Sequence, residues 1–182
     1  MNKAVLLLVP VLLSSCSAIQ HKPVQITPHT VEFHGAKNAI SPAASGTPKS
    51  EYPSNGQPRA TPYEEVFPLS YAVECNAART ACKHAVVQTD LTYEIHEVGS
   101  EVEITGNLKS TMGRKFTQRV GGQNGSYHQT SLSVSEDVEV IGTGTVIKPF
   151  SFTYSPGKRV VVDGLGGVQV IITFDPLKKP SV

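Results

Sequence analysis

Between Val86 and Leu108 the chain alternates apolar and polar residues with a period of two, and no other feature limits its fold as much. Leu91, Tyr93 and Ile95 alternate with Thr92, Glu94 and His96. Val102, Ile104 and Leu108 alternate with Glu101, Glu103 and Thr105. Successive side chains of a strand point to opposite faces, so each run makes a strand with one apolar face. Gly99-Ser100 lies between the two runs. A two-residue connection beginning in glycine is the signature of a type II′ hairpin turn. One face of this hairpin carries charge, so one side of its sheet faces water.

The remaining pattern up to the C-terminus is also β. Val66–Val73 is apolar, and Pro68 inside it marks an edge or a bulge. Asn76 to Ala81, between Cys75 and Cys82, favours a turn or a short helix. Lys115–Val120 reads as a short strand and Gly121 to Ser126 as a loop. Leu132, Val134, Val138 and Val140 share one parity and predict a further strand, with Glu136 marking a bulge. After Gly142-Thr143-Gly144, Val146–Tyr154 reads as a strand interrupted at Lys148-Pro149. Ser155-Pro156-Gly157-Lys158 is a turn. Arg159–Val162 and Val168–Phe174 then flank Asp163-Gly164-Leu165-Gly166-Gly167, with Val168, Val170, Ile172 and Phe174 on one face.

Seven or eight such strands with turn signals between them predict an antiparallel β-sandwich over residues 65–182, loosely immunoglobulin-like. A small closed barrel is the alternative. Trp is absent, so the Cys…Trp…Cys pattern of true immunoglobulin domains is missing.

Residues 16–64 differ in composition. Seven of the 13 prolines fall between Ser17 and Glu64, among Ser, Thr, Gly, Asn and Ala. Such a stretch buries too little apolar surface to offset chain entropy and reads as a tether, partly in polyproline II. A flexible chain of this length spans on the order of 40 Å. One island interrupts it, Val24-Gln25-Ile26 and Val31-Glu32-Phe33. The plain reading is scattered apolar residues; the sharper one is a segment that adds to a partner's sheet edge. His21, His29 and His34 share the stretch, at spacings that fit no metal motif.

The first sixteen residues carry a different signal. Lys3 precedes an apolar run from Ala4 to Leu13, which contains Pro10 and ends in Leu13-Ser14-Ser15-Cys16. A membrane-spanning helix needs about 20 apolar residues, and this run is much shorter. Its order of charge, apolar run and small residues is that of a secretory signal. The stretch resembles a bacterial lipoprotein signal peptide closed by a lipobox. The resemblance implies cleavage of residues 1–15 and lipid on Cys16, and hence a membrane partner through that lipid. Ser17, where the sorting rule it resembles uses Asp for inner-membrane retention, implies the outer membrane, on the periplasmic side, with surface exposure left open. An odd thiol in an exported chain needs an explanation, and lipidation of Cys16 leaves Cys75 and Cys82 as an even pair. In an oxidising compartment these two are expected to form a disulfide. The rival, a metal site from Cys75, Cys82 and His84, lacks a fourth ligand at normal spacing.

Composition and motifs limit the function. Without Lys3 the chain carries 15 basic and 15 acidic residues, so no charge signature marks a nucleic-acid partner. No catalytic motif occurs, and no cofactor, metal or small-molecule substrate is expected. Gly164-Leu165-Gly166-Gly167 lacks the following helix that a phosphate loop needs, and reads as a hairpin loop. Ser126, His128 and Asp137 supply triad residue types, but only geometry makes a triad. Glu94, Glu101 and Glu103 read as a solvated face, and Arg114, Lys115 and Arg119 as a solvated basic edge. The expected function is a non-enzymatic lipoprotein whose β domain binds another envelope protein. It would serve as an accessory or assembly part of a secretion, conjugation or pilus-type machine. The alternatives are a periplasmic inhibitor or immunity lipoprotein, and a cell-wall enzyme with an unrecognised site.

Overall fold

A computed structural model describes residues 29–40, 49–52, 62–98, 101–121 and 127–174. They form eleven strands: β1 (His29–His34), β2 (Lys49–Tyr52), β3 (Tyr63–Val66), β4 (Ser70–Cys75), β5 (Cys82–Val98), β6 (Glu101–Gly113), β7 (Lys115–Gly121), β8 (Tyr127–Ser133), β9 (Gly144–Thr153), β10 (Arg159–Asp163) and β11 (Gln169–Phe174). All the strand pairs are antiparallel. Sheet A has the order β10-β11-β1-β2. Sheet B has the order β3-β5-β6-β9, with β4 also paired to β5. A two-stranded ribbon, β7-β8, stands beside them. The two large sheets stack as an open sandwich, not a closed barrel.

The β5–β6 hairpin forms as its alternation predicts. Its register runs from Val86↔Gly113 to Val98↔Glu101, a closing pair that leaves two residues for the turn. Gly99-Ser100 themselves lie outside the described residues. Leu91, Tyr93, Ile104 and Leu108 point inward and are buried. They meet Val31 and Phe33 of β1, and Val170, Ile172 and Phe174 of β11, in one continuous core. Aromatic rings join the layers: Phe33 stacks on Phe67 at 4.6 Å, and Phe174 meets Phe152 and Tyr154 edge-on. Such contacts add roughly 0.5–1.5 kcal/mol each beyond burial.

Four expectations are corrected. The tether reading of 16–64 fails at β1, which lies inside sheet A between β11 and β2. His29, Val31 and Phe33 all face the core, so Val31-Glu32-Phe33, read as scattered apolar residues or as a segment for a partner's sheet edge, joins the sheet of its own chain. The β domain therefore includes residues well before 65, while Val24-Gln25-Ile26 and the rest of the proline-rich stretch to residue 28 lie outside the described residues. Val66–Val73 is two strands, not one. Three residues, Phe67-Pro68-Leu69, sit opposite two on β5 between the pairs Val66↔Asp90 and Ser70↔Val87. That is a bulge at the proline. The expected strand through Val140 ends at Ser133; Ser135 to Val138 turn, and only a bridge between His84 and Val140 follows. In the opposite sense, β9 runs through Lys148-Pro149 without a break. Tyr154 donates to the Val102 carbonyl at 2.7 Å, so even-numbered residues of β9 bond β6 and the nitrogen of Pro149 faces away from it.

Two glycine sites fix the packing. At Gly106 a Cβ would lie 2.5 Å from the Thr92 carbonyl oxygen and 2.6 Å from the Phe150 ring, so the ring covers the bare backbone. Between β10 and β11 the Leu165–Gly167 segment is one 3-10 turn. Gly166 there has φ +63°, and a Cβ on it would meet Val87 at 3.0 Å. The glycine-rich segment is thus a turn docked on sheet B, and its glycines serve close approach and left-handed backbone.

Candidate interaction surfaces

The side of sheet B that faces away from the core carries its side chains in register across four strands. Cross-strand register places Val66, Asp90, Lys109 and Ile147 in one row across β3, β5, β6 and β9. The adjacent row is Glu64, Thr92, Asn107 and Pro149. Both ends of the first row are apolar and open, with Val66 47% and Ile147 59% exposed. At its centre, burial pushes the Asp90 carboxyl above its ordinary value, against the opposing pull of Lys109 and of a hydrogen bond from Gln88. Glu64, Glu94 and Glu103 lie on the same face, so acidic residues outnumber Lys109. His96 pairs with Glu94 at 3.0 Å, and the Ser151 hydroxyl donates to Glu103. Apolar ends around a partly desolvated carboxylate suit a protein surface that is apolar and basic.

The sheet edges differ in how far they are protected. The outer edge of β4 is occupied: Val73 donates to the Lys37 carbonyl at 3.0 Å, and Ala39 donates to the Val73 carbonyl at 3.2 Å. β9 carries Pro149, whose missing N–H would have faced the open side. The β7-β8 ribbon is tied to the sandwich by the Gln118 amide, which donates to the Phe67 carbonyl at 2.8 Å. β10 has neither a proline nor a covering segment among the described residues, and its only ladder partner there is β11.

The residues singled out from the sequence separate cleanly. Cys75 and Cys82 are bonded to each other and face each other across the β4–β5 pair. This removes the thiols from any metal site, and His84 bonds the Tyr71 hydroxyl at 3.2 Å instead. Cys16, His21 and Ser126 lie outside the described residues. His128 is exposed on β8. The Ser135 hydroxyl, and then the backbone amide of Asp137 itself, hold the Asp137 carboxyl below its ordinary range. That ties Asp137 to the turn after β8. Arg114 is no free cation: its guanidinium donates to the carbonyls of Ser135 and Val138 and holds the same turn. His29 is buried in the core, with Nε2 2.7 Å from the Tyr93 hydroxyl and its ring edge-on to Tyr63 and Tyr93. His34 bonds Glu32 at 2.7 Å. Among the described residues no group of three His, Cys, Asp or Glu side chains is placed to hold a metal ion.

The row on sheet B was missed in the sequence reading. Parity placed Glu94 and Glu103 on an exposed face, but only the register of β3 and β9 brings Val66 and Ile147 to its ends. Set against known proteins, the chain matches no family model, no curated protein and no solved structure.

Proposed function

We propose that this chain is a lipid-anchored binding module of the bacterial envelope, held at the outer membrane through Cys16. Its sandwich docks an envelope protein on the outward face of sheet B. The observation that carries the docking reading is the Val66-Asp90-Lys109-Ile147 row, with two exposed aliphatic side chains around a carboxylate already partly withdrawn from water. The anchor rests on the lipobox resemblance alone, and the role as an assembly or accessory component rests on the pairing of anchor and binding face. A partner covering this face would bury Val66 and Ile147 and bring a cation to Asp90. Burying what remains exposed of these two half-exposed aliphatic side chains contributes about 1.5–3 kcal/mol before ordering costs.

The test places a photo-crosslinking residue at Ile147 in the full-length chain, expressed in its own cells. A discrete crosslinked envelope protein is expected. It should disappear when Asp90→Lys is added, and the chain should leave the membrane fraction when Cys16→Ser is introduced. No crosslink at Ile147, or one indifferent to Asp90→Lys, would sink the docking reading; membrane retention of Cys16→Ser would sink the anchor.

A further inference from the structure

The open edge of β10 is complementary to itself. The strand reads Arg159-Val160-Val161-Val162-Asp163. Gly164 donates to the Val168 carbonyl at 2.7 Å, and Phe174 donates to the Lys158 carbonyl at 3.0 Å, at the two ends of the β10–β11 ladder. Hydrogen-bonded and non-bonded pairs alternate in an antiparallel ladder. Even-numbered residues of β10 therefore bond β11, and Arg159, Val161 and Asp163 aim their N–H and C=O groups at the open side. The side chains of these same three residues lie on the outward face of sheet A, exposed to water, with Val161 47% exposed.

We infer that a second copy of this chain seats on this edge, β10 against β10, antiparallel about a two-fold axis at Val161. In that register Arg159 of each copy lies opposite Asp163 of the other, and Val161 lies opposite Val161. Each of the three outward residues on either copy then gives one N–H and takes one, which makes a continuous eight-stranded sheet from two four-stranded ones. The charge order is what selects a second copy as the occupant. A strand with a cation at one end, an anion at the other and valines between them matches its own reverse. The alternative registers, shifted by two residues, leave a charge opposite valine and lose a backbone pair. Among the described residues the edge also lacks the devices seen on β9 and β4: it has no proline, as in β9, and no covering segment, as on β4. Isologous pairing of this kind is the commonest route to a closed dimer. This inference is independent of the docking face on sheet B, which lies on the other layer of the sandwich.

The test uses the full chain, with two differently tagged copies made in the same cells. Val161→Cys is expected to give a disulfide-linked dimer under mild oxidation. A hydrogen-bonded antiparallel pair holds its Cα atoms about 5.5 Å apart, within disulfide reach. Thr153→Cys on the edge of β9, and the wild-type chain with Cys16, serve as the comparison. Arg159→Asp puts like charges together at both ends and should weaken co-purification of the two tagged copies about tenfold. The double reversal Arg159→Asp with Asp163→Arg should restore it, because the reversed strand is again its own complement. Val161→Lys, at a position exposed in the single chain, should abolish association without moving the melting temperature. The inference is overturned if Val161→Cys gives no more dimer than Thr153→Cys, or if Arg159→Asp associates as well as wild type. Failure of the double reversal to restore association overturns the two-fold register.

Discussion

Sheet B is made of neighbours in the chain, and sheet A of its two ends. In sheet B, β5 and β6 pair through 13 consecutive residues across a two-residue turn. In sheet A, β1 at residues 29–34 pairs with β11 at residues 169–174. The local hairpin costs little loop entropy, whereas the β1–β11 pair must close nearly the whole folded chain. The two layers nonetheless share one core, so the entropic cost of sheet A is met by side chains that face sheet B. Sheet B thus holds the local, low-cost pairings and sheet A the long-range ones, and β10 at the edge of sheet A has no covering segment among the described residues.

The comparison breaks most severely at β1. Val31 is fully buried and sits between Ile172 on β11 and Ser50 on β2. Val31→Asp places a charge there without a partner and should cost about 4 kcal/mol or more, enough to unfold a marginal domain. The measurement is urea unfolding followed by near-ultraviolet circular dichroism. An unchanged midpoint would mean that β1 does not close the sandwich. The matching change in sheet B is Gly106→Ala. Its Cβ would collide with the Thr92 carbonyl, the Phe150 ring and the Tyr93 Cβ. Overpacking of this kind costs about 1–3 kcal/mol. A smaller loss than at Val31 is expected, with the same protected amides along β5 and β6. If Gly106→Ala proved the more damaging, sheet B would be the fragile layer.

The same division governs what could be read from the sequence. The β5–β6 hairpin was legible because its alternation is long and its turn is local. β1 was not, because its inward set is only His29, Val31 and Phe33, set among proline-rich polar residues. One of those three is a histidine, which the alternation rule does not count as core, and its partner Tyr93 is 64 residues away. Pro149 misled in the other direction. A proline in a strand signals a break unless its nitrogen faces the open side, and that depends on the register with β6. For the candidate surfaces, the polar parity of β5 and β6 was visible, but the row from Val66 to Ile147 depends on the pairing of four strands. Cys75 and Cys82 were legible because two cysteines so close in the chain can be paired without knowledge of the distant fold.

The disulfide sharpens the comparison at a smaller scale. It joins β4 to β5 across a loop already closed by the Cys75↔Cys82 pair and by Asn76, whose side chain bonds the amides of Thr80 and Ala81. Replacing both cysteines by serine should lower stability by about 2 kcal/mol through the entropy of a short loop. Because the loop is local, the loss should appear in unfolding midpoints and leave crosslinking at β10 intact. A loss as large as that of Val31→Asp would mean that the bond holds the layers together and not only the β4–β5 corner.

The smallest expected effect lies at Asp90 and has a defined sign. Burial raises its carboxyl above the ordinary value of 3.8 in the folded chain, and Lys109 and Gln88 only partly oppose this. Between the ordinary and the raised value the folded state binds more protons than the unfolded one. Stability therefore falls as the pH rises through that interval, and it stays lower above it. Asp90→Asn removes the term. It should leave stability unchanged below the ordinary value and raise it slightly at neutral pH, with water keeping the gain small because the group is only half withdrawn. Paired unfolding curves at pH 3 and pH 7 measure the difference. A residue that weakens the fold at working pH, on a face with two exposed aliphatic neighbours, is the expected signature of a surface kept for a partner and not for stability. If Asp90→Asn were instead less stable at pH 7, the Lys109 pair would outweigh desolvation. Asp90 would then belong to the scaffold of sheet B, and the docking face would have to be argued from Val66 and Ile147 alone.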